Sequence, residues 1–188
     1  LRDVSGNVSS LTLTLTKDLA KADVVDIPGV ILGAQDNTAE KPMYSIIEDA
    51  TYSIAEGNAD ANIQAKIDFV CYSDVKNGTH LASPGANWAG TNYETDFAAW
   101  TTKNESFFIL DAPFDIYDFG ILTKTKIKTA YDDAETIDAT VVKRKTKDMA
   151  ADKIYLLKTY NGKYGAIKVN SVTTGTTGSV NFDIKIEK

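Results

Sequence analysis

The tail of the chain, residues 152–188, alternates apolar and polar positions more regularly than any other stretch. Asn161 and Gly162 favour a tight two-residue turn, because a type I′ turn needs positive φ at both central positions. Folding the chain at this pair predicts an antiparallel hairpin in which Ile154 faces Val169. One face of that hairpin is then apolar on both strands.

A third strand follows a loop rich in threonine and glycine. Apolar residues alternate with polar ones at Val180, Phe182, Ile184 and Ile186. This period of two is typical of a strand with one buried face. The tail is therefore predicted to be a three-stranded antiparallel meander.

Shorter apolar runs predict strands upstream. They lie at residues 11–15, 24–32, 44–54 (two short strands), 65–73, 106–110 and 138–143. Pro28 and Gly29 interrupt one of these runs, which favours an edge strand, a bulge or two short strands there. Residues 74–95 are rich in Gly, Asn, Ser and Pro and are predicted to form a long irregular segment, well beyond the usual connection of about 4–6 residues.

Two stretches favour helix. Apolar positions at Ile127, Ala130, Tyr131 and Ala134 follow the spacing of one helical face. Lysines that alternate with threonines over 123–129 would also suit a strand, but we favour a helix over about 124–135. A single helical turn is expected within residues 53–62.

These elements predict a mainly β protein. Its body is an antiparallel β-sandwich with one or two short helices and the C-terminal meander. No fixed-period repeat or low-complexity linker divides the chain, so residues 1–188 are interpreted as one domain with a loose N-terminal segment at 1–10.

Composition and charge argue against two classes of protein, nucleic-acid-binding proteins and membrane-spanning proteins. The formal charge of −6 and a pI near 4.8 argue against nucleic acid, which calls for basic stripes. No apolar run approaches the roughly 20 residues that span a bilayer. The chain starts at Leu1 without a basic or apolar leader, so we expect that any targeting segment has been removed or was never included, and an exported origin fits this start. The single cysteine, Cys71, is expected to be a buried small hydrophobe.

Aromatic residues concentrate in one polar, irregular region. Trp88, Tyr93, Phe97 and Trp100 lie close together among Asn, Gly and Thr. Such rings could form a stacking platform for sugars or a protein-contact patch, because aromatic residues are enriched at binding surfaces. The alternative is that they anchor the loop in the core.

Other candidate chemistry is sparse. His80 is expected to be an exposed loop residue; it would be the only histidine for a catalytic triad, and no nucleophile-elbow sequence accompanies it. Asp111, Asp115 and Asp118 could offer oxygen ligands to Ca²⁺, but they lack the glycine and distal glutamate of an EF-hand loop, so solvated loop acids are favoured.

The sequence of the tail is also similar to that of a known group of proteins. Residues 154–169 (IYLLKTYNGKYGAIKV) and 178–183 resemble the C-terminal hairpin of secreted Bacteroidales lipoproteins of unknown function, and segments 32–35, 67–69 and 81–84 are similar to upstream blocks of that group. The tail also resembles that of the HmuY-like haemophores. The resemblance implies a β-rich fold and a place at the outer-membrane surface or outside the cell, with membrane attachment only through a lipid anchor that this chain lacks.

The haemophore likeness implies haem as an alternative ligand. Those proteins hold haem iron with paired His or Met side chains, whereas this chain offers only His80, Met43 and Met149. None of the three matches a ligand position of that family.

Three functions follow as hypotheses. The first is a non-enzymatic exported module, without a cofactor, that binds a glycan or a protein at the cell surface. Its ligand-binding residues would be Trp88, Tyr93, Trp100 and His80. The second is a haem or porphyrin carrier, and the third is a hydrolase that uses paired carboxylates.

Overall fold

A computed structural model describes residues 23–188. The strand expected at residues 11–15 and the loose segment expected at 1–10 lie outside these residues. In chain order, the strands are β1 (Val24–Gly33), β2 (Met43–Ser45), β3 (Ala50–Tyr52), β4 (Phe69–Asp74), β5 (Gly78–Ala82), β6 (Phe107–Ile109), β7 (Val142–Lys143), β8 (Ile154–Lys158), β9 (Tyr164–Thr173) and β10 (Ser179–Glu187). The helices are α1 (Ile54–Ala59), α2 (Ala61–Gln64), α3 (Glu94–Ala99), α4 (Ile116–Phe119) and α5 (Lys124–Ile137).

Two antiparallel sheets form a sandwich, as the sequence predicted. The larger sheet has the order β1-β10-β9-β8-β6-β7, and the smaller has the order β3-β2-β4-β5. Their facing sides share one hydrophobic core, in which the Phe69 ring of the small sheet lies 6.3 Å from that of Phe108 and 5.9 Å from that of Phe182 in the large sheet. Burial of these apolar side chains is the main force that holds the sheets together.

The predicted helix covers the outer face of the large sheet. Thr123 caps α5, because its side chain accepts a hydrogen bond from the backbone N–H of Lys126 at 3.2 Å. Ile127 and Tyr131 are fully buried and pack on Ile154 and other residues of β8 and β9. The helix prediction is confirmed, and the lysines that suggested a strand lie on its more exposed side.

The outer face of the small sheet is covered as well. The helical turn expected at 53–62 is two short helices, α1 and α2, and the first begins with a capping box formed by Ser53 and Glu56. Residues 23–188 hold five α-helices, α1 to α5, rather than the one or two that the sequence predicted. Helices therefore cover part of the outer face of each sheet.

The meander is confirmed, but the predicted register of its first hairpin is wrong by one residue. Ile154 pairs with Lys168 rather than Val169. The backbone N–H of Gly162 donates to the carbonyl of Thr159 at 2.9 Å, and residues 160–162 form a three-residue loop with Gly162 at φ +83°. A three-residue hairpin loop with glycine in the left-handed position adds one residue to the turn and shifts the pairing.

This shift reverses the sidedness of the hairpin. Ile154 now faces α5, whereas Val169 faces the core between the sheets. The apolar pattern did not reveal the error because both faces of the hairpin are buried, so either register places apolar side chains on both sides.

Two other predictions also need correction. The segment expected to be irregular over 74–95 contains β5, which pairs with β4 through a turn at residues 75–77, and the first residue of β5, Gly78, has a φ of +65°. The polar residues Thr79 and His80 concealed this strand, since both are buried there. The strand expected at 138–143 is mostly a 3-10 turn at Ala139–Val141, followed by the short β7.

Residues 143–147, here called the basic segment, join the two sheets at one side. β7 pairs with β6 of the large sheet. Lys145 then forms a bridge with Ala82 in the small sheet, and the backbone N–H of Thr146 donates to the carbonyl of Leu81 at 2.8 Å. The segment is thus held by backbone hydrogen bonds on both sides.

Candidate ligand-binding cleft

The aromatic residues of the long loop are buried. Trp88, Tyr93 and Trp100 are 5%, 6% and 4% exposed and pack on the outer face of the small sheet. The Trp88 ring stacks on Phe97 with centroids 4.6 Å apart, and its indole N–H donates to the carbonyl of Pro84 at 2.9 Å. These rings anchor the loop, and none of the three presents an open face on which a sugar could stack.

His80 is a strand residue and not an exposed loop residue, so that expectation was wrong. Its ring is fully buried against Tyr72, and Nδ1 lies 2.9 Å from the carbonyl oxygen of Gly78. Nε2 is 3.9 Å from the carboxylate of Asp74 and has no hydrogen-bond partner among the described residues. Burial lowers the pKa of His80, so the ring is neutral near pH 7.

The three candidate haem ligands lie in the interior, on two sides of the small sheet. His80 contacts Tyr72 on the outer side of the small sheet, Met43 lies in the aromatic cluster, and Met149 lies in the core between the sheets. All three are buried. Within residues 23–188, no group of three or more His, Cys, Asp or Glu side chains could hold a metal ion.

Two of the clustered aspartates, Asp115 and Asp118, form the capping box at the start of α4. The Asp115 side chain accepts hydrogen bonds from the backbone N–H groups of Tyr117 and Asp118 at 2.8 and 2.9 Å and so caps α4. Capping satisfies donors that the first helical turn leaves free. Cys71 is fully buried as expected, and burial raises its pKa to about 12.

A cavity of about 600 Å³ lies beside the basic segment. Its walls are the β4–β5 turn, residues 86–87 of the aromatic loop, part of β6 and the basic segment itself. We call this cavity the basic cleft, because five cationic side chains and no acidic one line it among residues 23–188. The cations are Lys76, Lys143, Arg144, Lys145 and Lys147.

Three of these cations form no ion pair with any residue of the described chain. Arg144 is paired with Glu105 at 2.8 Å, and Lys147 lies 3.5 Å from its neighbour Asp148. Lys76, Lys143 and Lys145 remain. Each can therefore offer its ammonium group to an incoming anion.

Lys145 links the cleft to the aromatic cluster. Its Nζ lies 4.8 Å from the centroid of Trp88, which is the geometry of a cation–π contact. Partial burial lowers the pKa of Lys145, against the opposing effect of the Asp74 carboxylate. An anionic ligand would offset this cost, because it supplies the countercharge that solvent no longer provides.

The sequence argument overlooked the basic segment, although a signal was present. Four of the five residues at 143–147 are cationic in a chain whose net charge is −6. A concentrated positive patch on an acidic protein creates a local potential that the net charge hides. What the sequence did not show is that Lys76, distant in the chain, adds to the same patch.

Comparison with known proteins supports the fold alone. The fold is that of a β-sandwich-like α+β protein, and a solved structure with a similar fold is a DUF4466 family protein from Parabacteroides merdae, a member of the Bacteroidales. The two share 15% identity with a TM-score of 0.59, over 88% of this chain and 54% of the other. The chain thus spans about half the length of a protein from an uncharacterised family. No protein-family model and no curated protein matches the sequence.

A search of residues 23–188 for membrane-crossing segments found no helix of sufficient length and apolar character.

Proposed function

We propose that this protein is a non-enzymatic binding module that holds an anionic glycan in the basic cleft. The observation that carries the proposal is the convergence of Lys76, Lys143 and Lys145, all without ion pairs in the described chain, on a cavity that no acid lines. Charged hydrogen-bond donors bind carboxylate and sulfate groups strongly. A short ligand fits better than a long polyanion, because the remaining surface is net acidic and repels negative charge.

Polar and apolar neighbours of the cations favour a sugar over a bare anion. Asn77 and Asn87 line the same cleft and carry amides that both donate and accept, as hydroxyl groups require. Phe107 lies there too, with the Arg144 guanidinium 5.6 Å from its ring centre. Pockets for small ligands commonly combine an apolar surface with a few placed polar groups.

The buried aromatic loop supports the cleft instead of forming its surface. Residues 86–87 belong to the wall, and the Trp88 ring beside them lies under Lys145. The aromatic loop that the sequence indicated as the binding site is therefore next to the basic cleft. Its buried rings pack beneath the wall of the cleft and do not form the binding surface.

The proposal is tested by calorimetry with a heparin tetrasaccharide, an oligogalacturonate and neutral maltotetraose. We expect at least one anionic oligosaccharide to bind, and we expect its affinity to fall about fivefold or more between 50 and 200 mM NaCl, because salt screens the interaction. Equal binding of maltotetraose, or no binding of any anionic sugar, would contradict the proposal.

A matched pair of double variants locates the site. Lys76→Gln with Lys143→Gln removes two charges from the cleft, and we expect at least a tenfold loss of affinity. Lys126→Gln with Lys153→Gln removes two exposed charges that do not line it. If both double variants bind equally well, the ligand lies elsewhere.

We also propose that the module works at the outer-membrane surface or outside the cell, where such glycans occur. The resemblance of its tail to secreted Bacteroidales lipoproteins and the Bacteroidales origin of the similar fold support this location. Labelling of intact cells of the source organism with a membrane-impermeant reagent tests it, and a chain that is labelled only after lysis would contradict it.

A further inference from the structure

A second, more enclosed cavity of about 330 Å³ has the opposite character. It lies between the paired ends of β1 and β10, the β2–β3 turn and the β8–β9 loop. Much of its wall is aliphatic, from Val25, Ile27, Ile46, Ile47 and Ile186, and Tyr160 adds an aromatic ring. Four acidic residues also line it, and two of them, Asp49 and Asp68, form no ion pair within residues 23–188.

The Asp68 carboxylate is buried without a countercharge. The residue is 2% exposed, and one carboxylate oxygen accepts a hydrogen bond from the backbone N–H of Ile46 at 2.8 Å. No lysine, arginine or histidine of the described chain forms an ion pair with it. Buried charges are normally paired, because removing an ion from water is costly. Burial accordingly raises the pKa of Asp68 to about 7.

Asp49 supplies the second carboxylate from the β2–β3 turn. Its φ of +47° is the left-handed conformation that aspartate tolerates, and its side chain accepts a hydrogen bond from the Tyr44 hydroxyl at 2.5 Å. It too forms no ion pair within residues 23–188. Tyr44 and Tyr160 are the other titratable groups whose pKa values respond to these acids, and both are raised, chiefly by burial.

The remaining charged groups of this cavity do not neutralise the two acids. Asp26 forms an ion pair with Lys185, and Glu187 forms one with Lys124. Lys163 and Lys188 line the cavity but form no ion pair with Asp49 or Asp68. The cavity therefore combines an apolar wall with uncompensated negative charge.

We propose that this cavity binds a small organic ammonium ion with an apolar body, with its nitrogen at the Asp68 and Asp49 carboxylates and its apolar part against the isoleucines. The Tyr160 ring adds a surface suited to a cation. A divalent metal fits less well, since Ca²⁺ takes six to eight oxygen ligands and no group of three or more His, Cys, Asp or Glu side chains within residues 23–188 could hold a metal ion. The site is independent of the basic cleft.

Titration with benzylammonium at pH 8, followed by two-dimensional NMR, tests this proposal, with benzyl alcohol as the neutral analogue of the same shape. We expect saturable shifts at the backbone N–H groups of Ile46, Ile47 and Tyr160 with the amine, and at least tenfold weaker binding of the alcohol. Equal binding of the two, shifts confined to another region, or no saturable shift up to about 10 mM would overturn the proposal.

Three variants separate this site from others. Asp68→Asn keeps the size of the side chain and an oxygen for the Ile46 N–H, and we expect it to weaken benzylammonium binding at least tenfold. Asp111→Asn, which lies outside the cavity, is the control. Asp49→Asn is the alternative if the Asp68 variant does not fold, and it should weaken binding at least threefold. Wild-type affinity of the Asp68→Asn or the Asp49→Asn variant would refute the role of that carboxylate, and a loss of affinity in Asp111→Asn would refute the location of the site.

A pH titration of the wild type needs no variant. Benzylammonium stays protonated at pH 5 and pH 8, whereas Asp68 is largely protonated at the lower value. We therefore expect at least tenfold weaker binding at pH 5, and an affinity that does not change between the two values would overturn the proposal. The Lys76→Gln and Lys143→Gln double variant should bind the amine as the wild type does, which keeps this test separate from that of the glycan.

Discussion

Replacing Asp68 with asparagine should change how the stability of this protein depends on pH. The carboxyl group is buried, and its pKa rises to about 7 because burial disfavours the charged form; the hydrogen bond from Ile46 N–H opposes this only in part. Asparagine has nearly the same shape and can keep that hydrogen bond. The substitution therefore removes the ionisation and little else.

The magnitude follows from the two states of the carboxyl group. In the unfolded chain its pKa is near 4, and in the folded protein it is about 7. Between these values the native state holds a proton that the unfolded chain has lost, so stability is full below about pH 4 and falls as the pH rises to 7. At about 1.4 kcal/mol for each pH unit, the loss approaches about 4 kcal/mol.

Urea unfolding of both proteins at pH 4, 5, 6, 7 and 8 measures this directly. The difference in unfolding free energy, Asp68→Asn minus wild type, should rise by about 4 kcal/mol between pH 4 and pH 8, because only the wild type loses the contribution of the Asp68 carboxyl group. The other ionisable groups contribute equally to both proteins and cancel in the difference. Asp111→Asn, the same substitution at an exposed loop position, serves as the control. If the difference stays constant within about 1 kcal/mol, the carboxyl group ionises normally in the folded state and the reasoning is refuted.

Three further substitutions test the packing by thermal and urea unfolding. Gly162→Val should cost about 1 kcal/mol or more, because valine is strained at φ +83°; an unchanged melting temperature would mean that the hairpin loop is elsewhere. Tyr131→Phe should stabilise by about 1 kcal/mol, since the buried hydroxyl has no hydrogen-bond partner in the described chain, and a loss of stability would reveal a hidden partner. Gly57→Ala should destabilise by about 1–3 kcal/mol, because the added Cβ would lie 2.6 Å from Trp100 and 2.9 Å from Met43. Helix propensity alone would make alanine more stable than glycine at this position. An increase in the free energy of unfolding of Gly57→Ala would therefore contradict the predicted steric clash.

Local patterns were sufficient for several elements. The stripe through Ile127 and Tyr131 predicted α5, and the alternation from Val180 to Ile186 predicted β10. The apolar residues of α5 follow the period of a helix, and those of β10 follow the period of a strand. Each pattern therefore identifies the element and the face that is buried. The interruption at residues 28–29 allowed an edge strand, a bulge or two short strands, and the structure shows one edge strand, β1, with a shift of register at that point.

Patterns were insufficient where burial did not follow polarity. His80 is polar yet buried, so β5 was concealed; Trp88 lies in a polar loop yet packs on the small sheet. Asp68 is likewise polar yet buried, and residues that line the same cavity come from β1, β10 and the β8–β9 loop. None of these outcomes can be derived from the neighbouring residues alone, since the covering elements come from distant parts of the chain.

The sequence by itself determined that this protein is mainly β, that it ends in a meander and that a helix covers about residues 124–135, because local periodicity and turn residues specify these features. Only the tertiary structure decided the register of the β8–β9 hairpin and the two cavities. A hairpin that is buried on both faces accepts two registers, and its loop geometry chooses between them. The cavities depend on charges such as Lys76 and Lys143, which lie far apart in the chain and meet only because the basic segment joins the edges of both sheets.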